Sequence, residues 1–151
     1  MSIAVGGKAP DFSLAASGGR SVSSAGLKGH PYVLYFYPKA DTSGCTKEAQ
    51  QFQALLEDFD AKKCVVIGVS RDPVKALDKF AGKYGLTFAL ASDEGGALTE
   101  AYGVWVEKSM YGRKYMGIER STFLVGGDGR ALKAWHKVKV DGHAAEVLAA
   151  I

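Results

Sequence analysis

Cys45 and Cys64 are the only cysteines in the chain, and their surroundings differ. Cys45 lies in Pro38-Lys-Ala-Asp-Thr42-Ser-Gly-Cys45-Thr-Lys-Glu-Ala-Gln50. Upstream stands the apolar, β-forming run Tyr32 to Tyr37; downstream, Ala49, Phe52, Leu56 and Phe59 recur at helical spacing. The pattern predicts a strand buried on both faces and ended by Pro38, then an amphipathic helix over roughly Cys45 to Ala61. Cys45 then falls in the first helical turn, where unpaired N–H groups and the positive end of the dipole stabilise a thiolate. A lone cysteine is most often a small buried hydrophobe. Ser43, Gly44, Thr46 and Lys47 are not core residues, so Cys45 reads as a reactive thiol. It sits at the C-terminal edge of a strand, where open α/β sheets bind ligands. Cys64 opens the apolar run Cys64-Val-Val-Ile and reads as packed. Glu48 also lies in the first turn; tuning of Cys45 or Arg120 and a favourable charge–dipole contact account for it equally well, and it stays off the catalytic list.

The elements around this segment follow from periodicity. Val65 to Val69 reads as a second buried strand. Asp72-Pro73 supplies an N-cap and a proline at the first helical position, with Leu77, Phe80 and Tyr84 carrying a helix to Gly85. Thr87 to Ala91 reads as a strand, and Glu94 to Tyr102 as a short helix stopped by Gly103. Ser121 to Val125 and Ala131 to Lys137 alternate around Gly126-Gly-Asp-Gly129, a hairpin signal. A helix over Ala144 to Ile151 closes the chain. Gly and Ser gather between Ala15 and Gly26, as turns between short strand-like pieces. The expectation is one domain over residues 1–151, an α/β sandwich with helices on both sides of a mixed sheet.

Composition narrows the function classes. A chain of 151 residues, 47% hydrophobic and 23% charged, is long enough for a proper core and ordinary for a soluble globular protein. Met1 to Pro10 lacks the charged flank and long apolar run of a signal peptide, and no stretch approaches the ~20 apolar residues of a membrane span. The expectation is a cytoplasmic protein without a membrane partner, in which two cysteines are no disulfide framework. The net charge of +3 is modest, and Lys133 to Lys139 reads as the wet face of a strand rather than a nucleic-acid footprint. His30, His136 and His143 show no ligand spacing, so no metal is expected.

Pro38, Thr42 and Cys45 form Pro-x-x-x-Thr-x-x-Cys, and with it the chain resembles the peroxiredoxins. The wider Tyr-Phe-Tyr-Pro-Lys-Ala-Asp-Thr-x-Gly-Cys-Thr-Lys-Glu-Ala is similar to the bacterioferritin-comigratory-protein (Q) subfamily. Ala9 to Leu14, Lys79 to Leu86, Ser92-Asp93, Tyr111 to Leu124 and Gly142-His143 extend the likeness over nearly the whole chain. The resemblance implies a thioredoxin-like fold with an N-terminal peroxiredoxin extension, and a cofactor-free peroxidase. On that likeness Cys45 attacks a hydroperoxide and becomes a sulfenic acid, and Thr42 hydrogen-bonds the peroxide while also capping the helix. Arg120 holds Cys45 anionic and stabilises charge as the O–O bond breaks. Pro38 screens the thiolate, and the Gly44 and Cys45 N–H groups point at the same spot. Duller readings stand beside these: Thr42 as a cap only, Arg120 as a surface partner of Glu119, Pro38 as a strand terminator.

The chain departs from the family in its second thiol. Many members carry a resolving cysteine five residues after the peroxidatic one, where this chain has Gln50; others carry it in the stretch matching Phe80 to Tyr84, which has none. Ser43 replaces a frequent proline. Cys64 stands on the far side of the expected helix: ~16 residues at 1.5 Å give roughly 24 Å, against the 7 Å or so that a disulfide allows. The expectation is a one-cysteine enzyme resolved by an external thiol (thioredoxin, glutaredoxin with glutathione, or a small thiol), acting on hydrogen peroxide or organic hydroperoxides as a monomer or weak dimer. A thioredoxin-type oxidoreductase needs Cys-x-x-Cys, and Thr42 occupies the first position. A peroxide sensor or holdase-like protein shares the first chemical step and stays open.

Overall fold

The structure, a computed structural model, describes residues 3–151; the first two residues of the Met1 to Pro10 stretch lie outside the described residues. A five-stranded mixed sheet forms its centre. Strand β3 (Tyr32–Phe36) lies in the middle, parallel to β4 (Val65–Ser70) and antiparallel to β8 (Ser121–Val125). Outside them run β5 (Ala89–Ser92), parallel to β4, and β9 (Ala131–Trp135), antiparallel to β8. All five residues of β3 are buried, as its unbroken apolar run requires. Val33 and Tyr35 join one core with helices α1 (Ser43–Ala54), α2 (Leu56–Ala61), α3 (Val74–Tyr84) and α5 (His143–Ala149). Tyr32, Leu34 and Phe36 face the other, covered by α4 (Ala97–Ala101) and the N-terminal segment around Phe12. This is the thioredoxin-like arrangement, and the hairpin β1 (Ser13–Ala15) and β2 (Ser21–Ser23) stands before it as the N-terminal extension. No helix among the described residues is long and apolar enough to cross a membrane.

Gly68 in β4 shows how tightly the site-bearing core is packed. A Cβ there would stand 2.8 Å from the Tyr35 hydroxyl and ring carbon and 3.0 Å from Leu90. Tyr35 in turn stacks on Phe52 of α1 at 4.6 Å between ring centroids. Glycine in this strand therefore seats a tyrosine that supports the helix carrying Cys45.

Several expectations need correction. The helix expected over Cys45 to Ala61 starts at Ser43 and breaks at Leu55 (φ −102°, ψ 6°), giving α1 and α2. Asp72 does not cap α3: Pro73 holds the N-cap position in an extended conformation, and the Asp72 carboxylate is used elsewhere. The β9 strand ends at Trp135, not Lys137, so Lys137 and Lys139 belong to a loop. Between α4 and β8 the chain forms an unanticipated hairpin of β6 (Trp105–Met110) and β7 (Arg113–Ile118). Its turn places Tyr111 (φ 52°) and Gly112 (φ 75°) in the left-handed region, as a two-residue turn of the favoured twist demands.

Candidate active site

The loop from β3 to α1 is fixed before it reaches Cys45. The Tyr37 N–H donates to the Val69 carbonyl (3.0 Å), and the Ala40 N–H to the Asp72 carboxylate (2.8 Å). Asp72 also accepts the Ser70 hydroxyl at 2.8 Å, so the end of β4 braces the loop. Asp41 takes a left-handed conformation (φ 62°), which a short polar side chain tolerates. Its carboxylate accepts the Tyr84 hydroxyl (2.7 Å) and the Lys83 ammonium (3.0 Å) from the end of α3. Those two bonds, Tyr84 first, hold the Asp41 carboxyl below its ordinary value.

Cys45 follows in the first turn of α1, with 1% of its surface exposed. The first bond of the helix runs from the Thr46 N–H to the Thr42 carbonyl (2.8 Å), so the Gly44 and Cys45 N–H groups lie ahead of it. Arg120 arrives from the start of β8, 75 residues along the chain, and its Nη2 donates to Cys45 Sγ at 3.2 Å. A Cβ on Gly44 would stand 3.4 Å from that Nη2, so glycine gives the guanidinium its approach. Backbone bonds on both sides set Arg120 in place: the Glu119 N–H donates to Val104 O (2.7 Å) and the Val138 N–H to Arg120 O (2.9 Å).

The partner of Arg120 is Glu48, not Glu119. Nη1 donates to Glu48 Oε1 at 2.6 Å, and the Glu48 side chain is 1% exposed. Its other oxygen, Oε2, has no partner among the described residues. Burial pushes the Glu48 carboxyl up to about 7, against the downward pull of Arg120. Burial acts downward on Arg120, but Glu48 and Cys45 outweigh it and hold the guanidinium charged. The result is a fork: one arginine, two acceptors, and a carboxyl poised between charged and neutral near pH 7. Position in the first turn was the sequence signal for Glu48, and of its two expected readings the structure shows the contact with Arg120, across 72 residues.

The remaining expected residues sit around this fork. Thr42 is the N-cap by backbone only; its exposed hydroxyl makes no cap bond and donates instead to Lys39 O at 2.9 Å. That corrects the expected side-chain cap, and it leaves the lone pairs of Oγ1 as acceptors. Pro38 is exposed where β3 gives way to the loop. Cys64 is 1% exposed, between α2 and β4, and burial pushes its thiol up to about 11. Gln50 is exposed on α1. No group of three or more His, Cys, Asp or Glu side chains is placed to hold a metal among the described residues.

A model of the AhpC/TSA family matches residues 5–132. The peroxiredoxin Bcp of Bacillus subtilis is 47% identical over 148 residues, which cover 98% of this chain and 94% of that protein. The bacterioferritin comigratory protein of Xanthomonas campestris, solved in complexes bearing on its alkyl peroxide reduction, superposes with a TM-score of 0.88. It is 49% identical, over 92% of this chain and 88% of its own. A cysteine mutant of PrxQ from Xylella fastidiosa superposes with a TM-score of 0.94 at 41% identity, over 99% of this chain and 95% of its own. By sequence over nearly its full length, and by fold, this chain belongs to the AhpC/TSA family as a peroxiredoxin of the bacterioferritin-comigratory (Q) type.

Proposed function

We propose that this peroxiredoxin reduces hydrogen peroxide and organic hydroperoxides at Cys45 by a one-cysteine cycle completed by an outside thiol. The observation that carries the reading is the 3.2 Å contact from Arg120 to Cys45 Sγ at a helix start, with the other thiol buried between α2 and β4. In the first step the Cys45 thiolate attacks the hydroxyl oxygen of a hydroperoxide. The S–O bond forms as the O–O bond breaks, and the departing alkoxide or hydroxide takes up a proton and leaves as alcohol or water. Arg120 and the Gly44 and Cys45 N–H groups offer donors to the oxygens that gain charge. Thr42, whose proton is committed to Lys39, offers Oγ1 to accept the hydroperoxide O–H. Pro38 ends β3, turns the chain and screens the outer side of the site.

In the second step an outside thiolate attacks the sulfenic sulfur, forming a mixed disulfide and water. A further thiol then displaces Cys45 and carries the disulfide away. Thioredoxin, glutaredoxin with glutathione, or a small thiol can supply those electrons. Support for a one-cysteine cycle comes from Gln50, from the absence of cysteine in Phe80 to Tyr84, and from Cys64. A thiol buried at 1% exposure and pushed up to about 11 supplies almost no thiolate at neutral pH. The alkyl peroxide reduction of the Xanthomonas relative supports an organic substrate.

Turnover with excess peroxide is the test, with thioredoxin, glutaredoxin plus glutathione, and dithiothreitol as separate reductants. Cys45→Ser is expected to abolish activity and Cys64→Ser to leave it almost unchanged. An inactive Cys64→Ser variant, with a Cys45–Cys64 disulfide detected by mass spectrometry, would overturn the one-cysteine reading. A protein that stalls after one equivalent of peroxide with every reductant is a sensor instead.

A further inference from the structure

The β6–β7 hairpin ends two residues before Arg120, and its Lys108 forms no ion pair among the described residues. Residues directly opposite each other in an antiparallel pair share a face, as do alternate residues along a strand. Lys108 faces Tyr115, Met110 faces Arg113, and Val106 faces Gly117, so these six share one side of the hairpin. Glu107 and Lys114 lie on the other side, where they form an ion pair with each other.

The Lys108 side chain does not stay level with Tyr115. A Cβ on Gly117 would stand 3.2 Å from Lys108 Cδ and 3.5 Å from Cε, so the lysine stem lies across Gly117. Gly117 is two residues closer than Tyr115 to Arg120, and the missing side chain is what lets the stem lean that way. Lys108 is half-buried there. Burial first, and then Arg120, lower its pKa, while Cys45 and Glu119 work in the opposite sense. The neighbouring charges are engaged elsewhere: Arg120 with Glu48, and Glu119 with Ser121 and His136. Lys108 forms no ion pair among the described residues. A partly desolvated ammonium that forms no ion pair favours an anion from solution.

We propose that Lys108 recruits the carboxylate of a co-substrate to the mouth above Cys45, and so sets a preference for anionic over neutral partners. Both co-substrates of the cycle can carry that group: a carboxylate-bearing hydroperoxide, or an anionic thiol reductant. The inference rests on the two-step cycle above, and each step has its own arm of the test. Oxidation of Cys45 is followed with tert-butyl hydroperoxide and with a tertiary alkyl hydroperoxide that bears a carboxylate. Reduction of the sulfenic acid is followed with mercaptoethanol and with mercaptopropionate.

The quantity read is the ratio of charged to neutral rate constants. In Lys108→Met that ratio is expected to fall by about fivefold in the arm that uses the lysine, as for one partly screened charge pair. It should recover in Lys108→Arg and lose its salt dependence in Lys108→Met. Lys114→Met makes the same change of charge on the opposite face and should leave the ratio as it is. A ratio unchanged by Lys108→Met in both arms overturns the proposal. So does an equal fall for charged and neutral partners, because that places Lys108 on Cys45 rather than on the co-substrate. The neutral pair in the unaltered protein reports on the cycle alone, so its failure is distinguishable from failure of the lysine.

Discussion

Glu48→Gln tests the electrostatics at the heart of the site. The Glu48 carboxyl is ordinary in the unfolded chain, at 4.5, and burial raises it to about 7 in the folded protein. Between those values the native state binds a proton that the unfolded state has lost. Stability from this group is therefore fully present below its unfolded value and disappears as pH rises through about 7. From about pH 5 to about pH 8, linkage makes that loss about 2–3 kcal/mol. Gln keeps the shape and cannot titrate. The difference in unfolding free energy, Gln variant minus parent, should thus climb by about 2–3 kcal/mol across that range.

Urea melts at several pH values measure this difference. They are best made in a Cys45→Ser background, which removes the thiol as the second acceptor of Arg120. Taking the difference matters because His143 opposes Glu48 in the same window. A flat difference would refute the reasoning: it would mean that the 2.6 Å bond to Arg120 overrides burial and Glu48 is ionised throughout. A falling difference would mean that the carboxyl is depressed, and would refute it more strongly. Near-neutral titration also predicts a kinetic signature. As Glu48 ionises it competes with Cys45 for Arg120, so the pH profile of the peroxide step should carry a transition that Glu48→Gln removes.

Other substitutions probe single contacts. Arg120→Met removes the donor to Cys45 Sγ and should lower kcat/KM for peroxide roughly a hundred- to a thousandfold, read by stopped-flow oxidation of Cys45; a tenfold effect or less would remove Arg120 from the chemistry. Gly68→Ala drives a Cβ to 2.8 Å from Tyr35 and should cost about 1–3 kcal/mol in thermal or urea melts. A neutral outcome would show that the Tyr35–Phe52 stack yields easily. His143 is 3% exposed, with Nε2 at 2.8 Å from the Thr122 hydroxyl, and burial holds its pKa below the ordinary value against the pull of Glu146. Its stabilisation is present above the unfolded histidine value of about 6.5 and lost as pH falls below it. His143→Gln should flatten that acid limb, and an unchanged limb would place the loss elsewhere.

How much of this was legible in the sequence depends on how local each cause is. Tyr32 to Phe36 and Val65 to Ser70 announce themselves because strands buried on both faces are unbroken apolar runs. Gly85 ends α3 where expected because a left-handed cap (φ 64°) favours glycine. The β6–β7 hairpin was missed for the converse reason. Most of its residues are half-buried or exposed, so no apolar alternation marks it, and Tyr111-Gly112 is a weaker turn signal than Asn-Gly. Cys45 and Thr42 were named from the motif and Arg120 from the wider resemblance, and the structure brings Arg120 Nη2 to 3.2 Å from Cys45 Sγ. The Arg120–Glu48 pair and the Asp72 brace on Ala40 join segments that the chain order keeps apart, and the seat of Lys108 on Gly117 depends on the hairpin that was missed.

The burial of Cys64 bears on how such a protein wears out. A thiol with almost no anionic form is a poor target for oxidants, so damage to thiols concentrates on a single sulfur, that of Cys45. On the proposed cycle each molecule then ages through one atom, and the surviving activity of a population equals the fraction of Cys45 not carried past the sulfenic state. On the proposed one-cysteine cycle no second thiol captures that sulfenic acid, and its lifetime is set by the supply of reductant. The ratio of thiol to peroxide around the protein would therefore govern its working life as well as its speed.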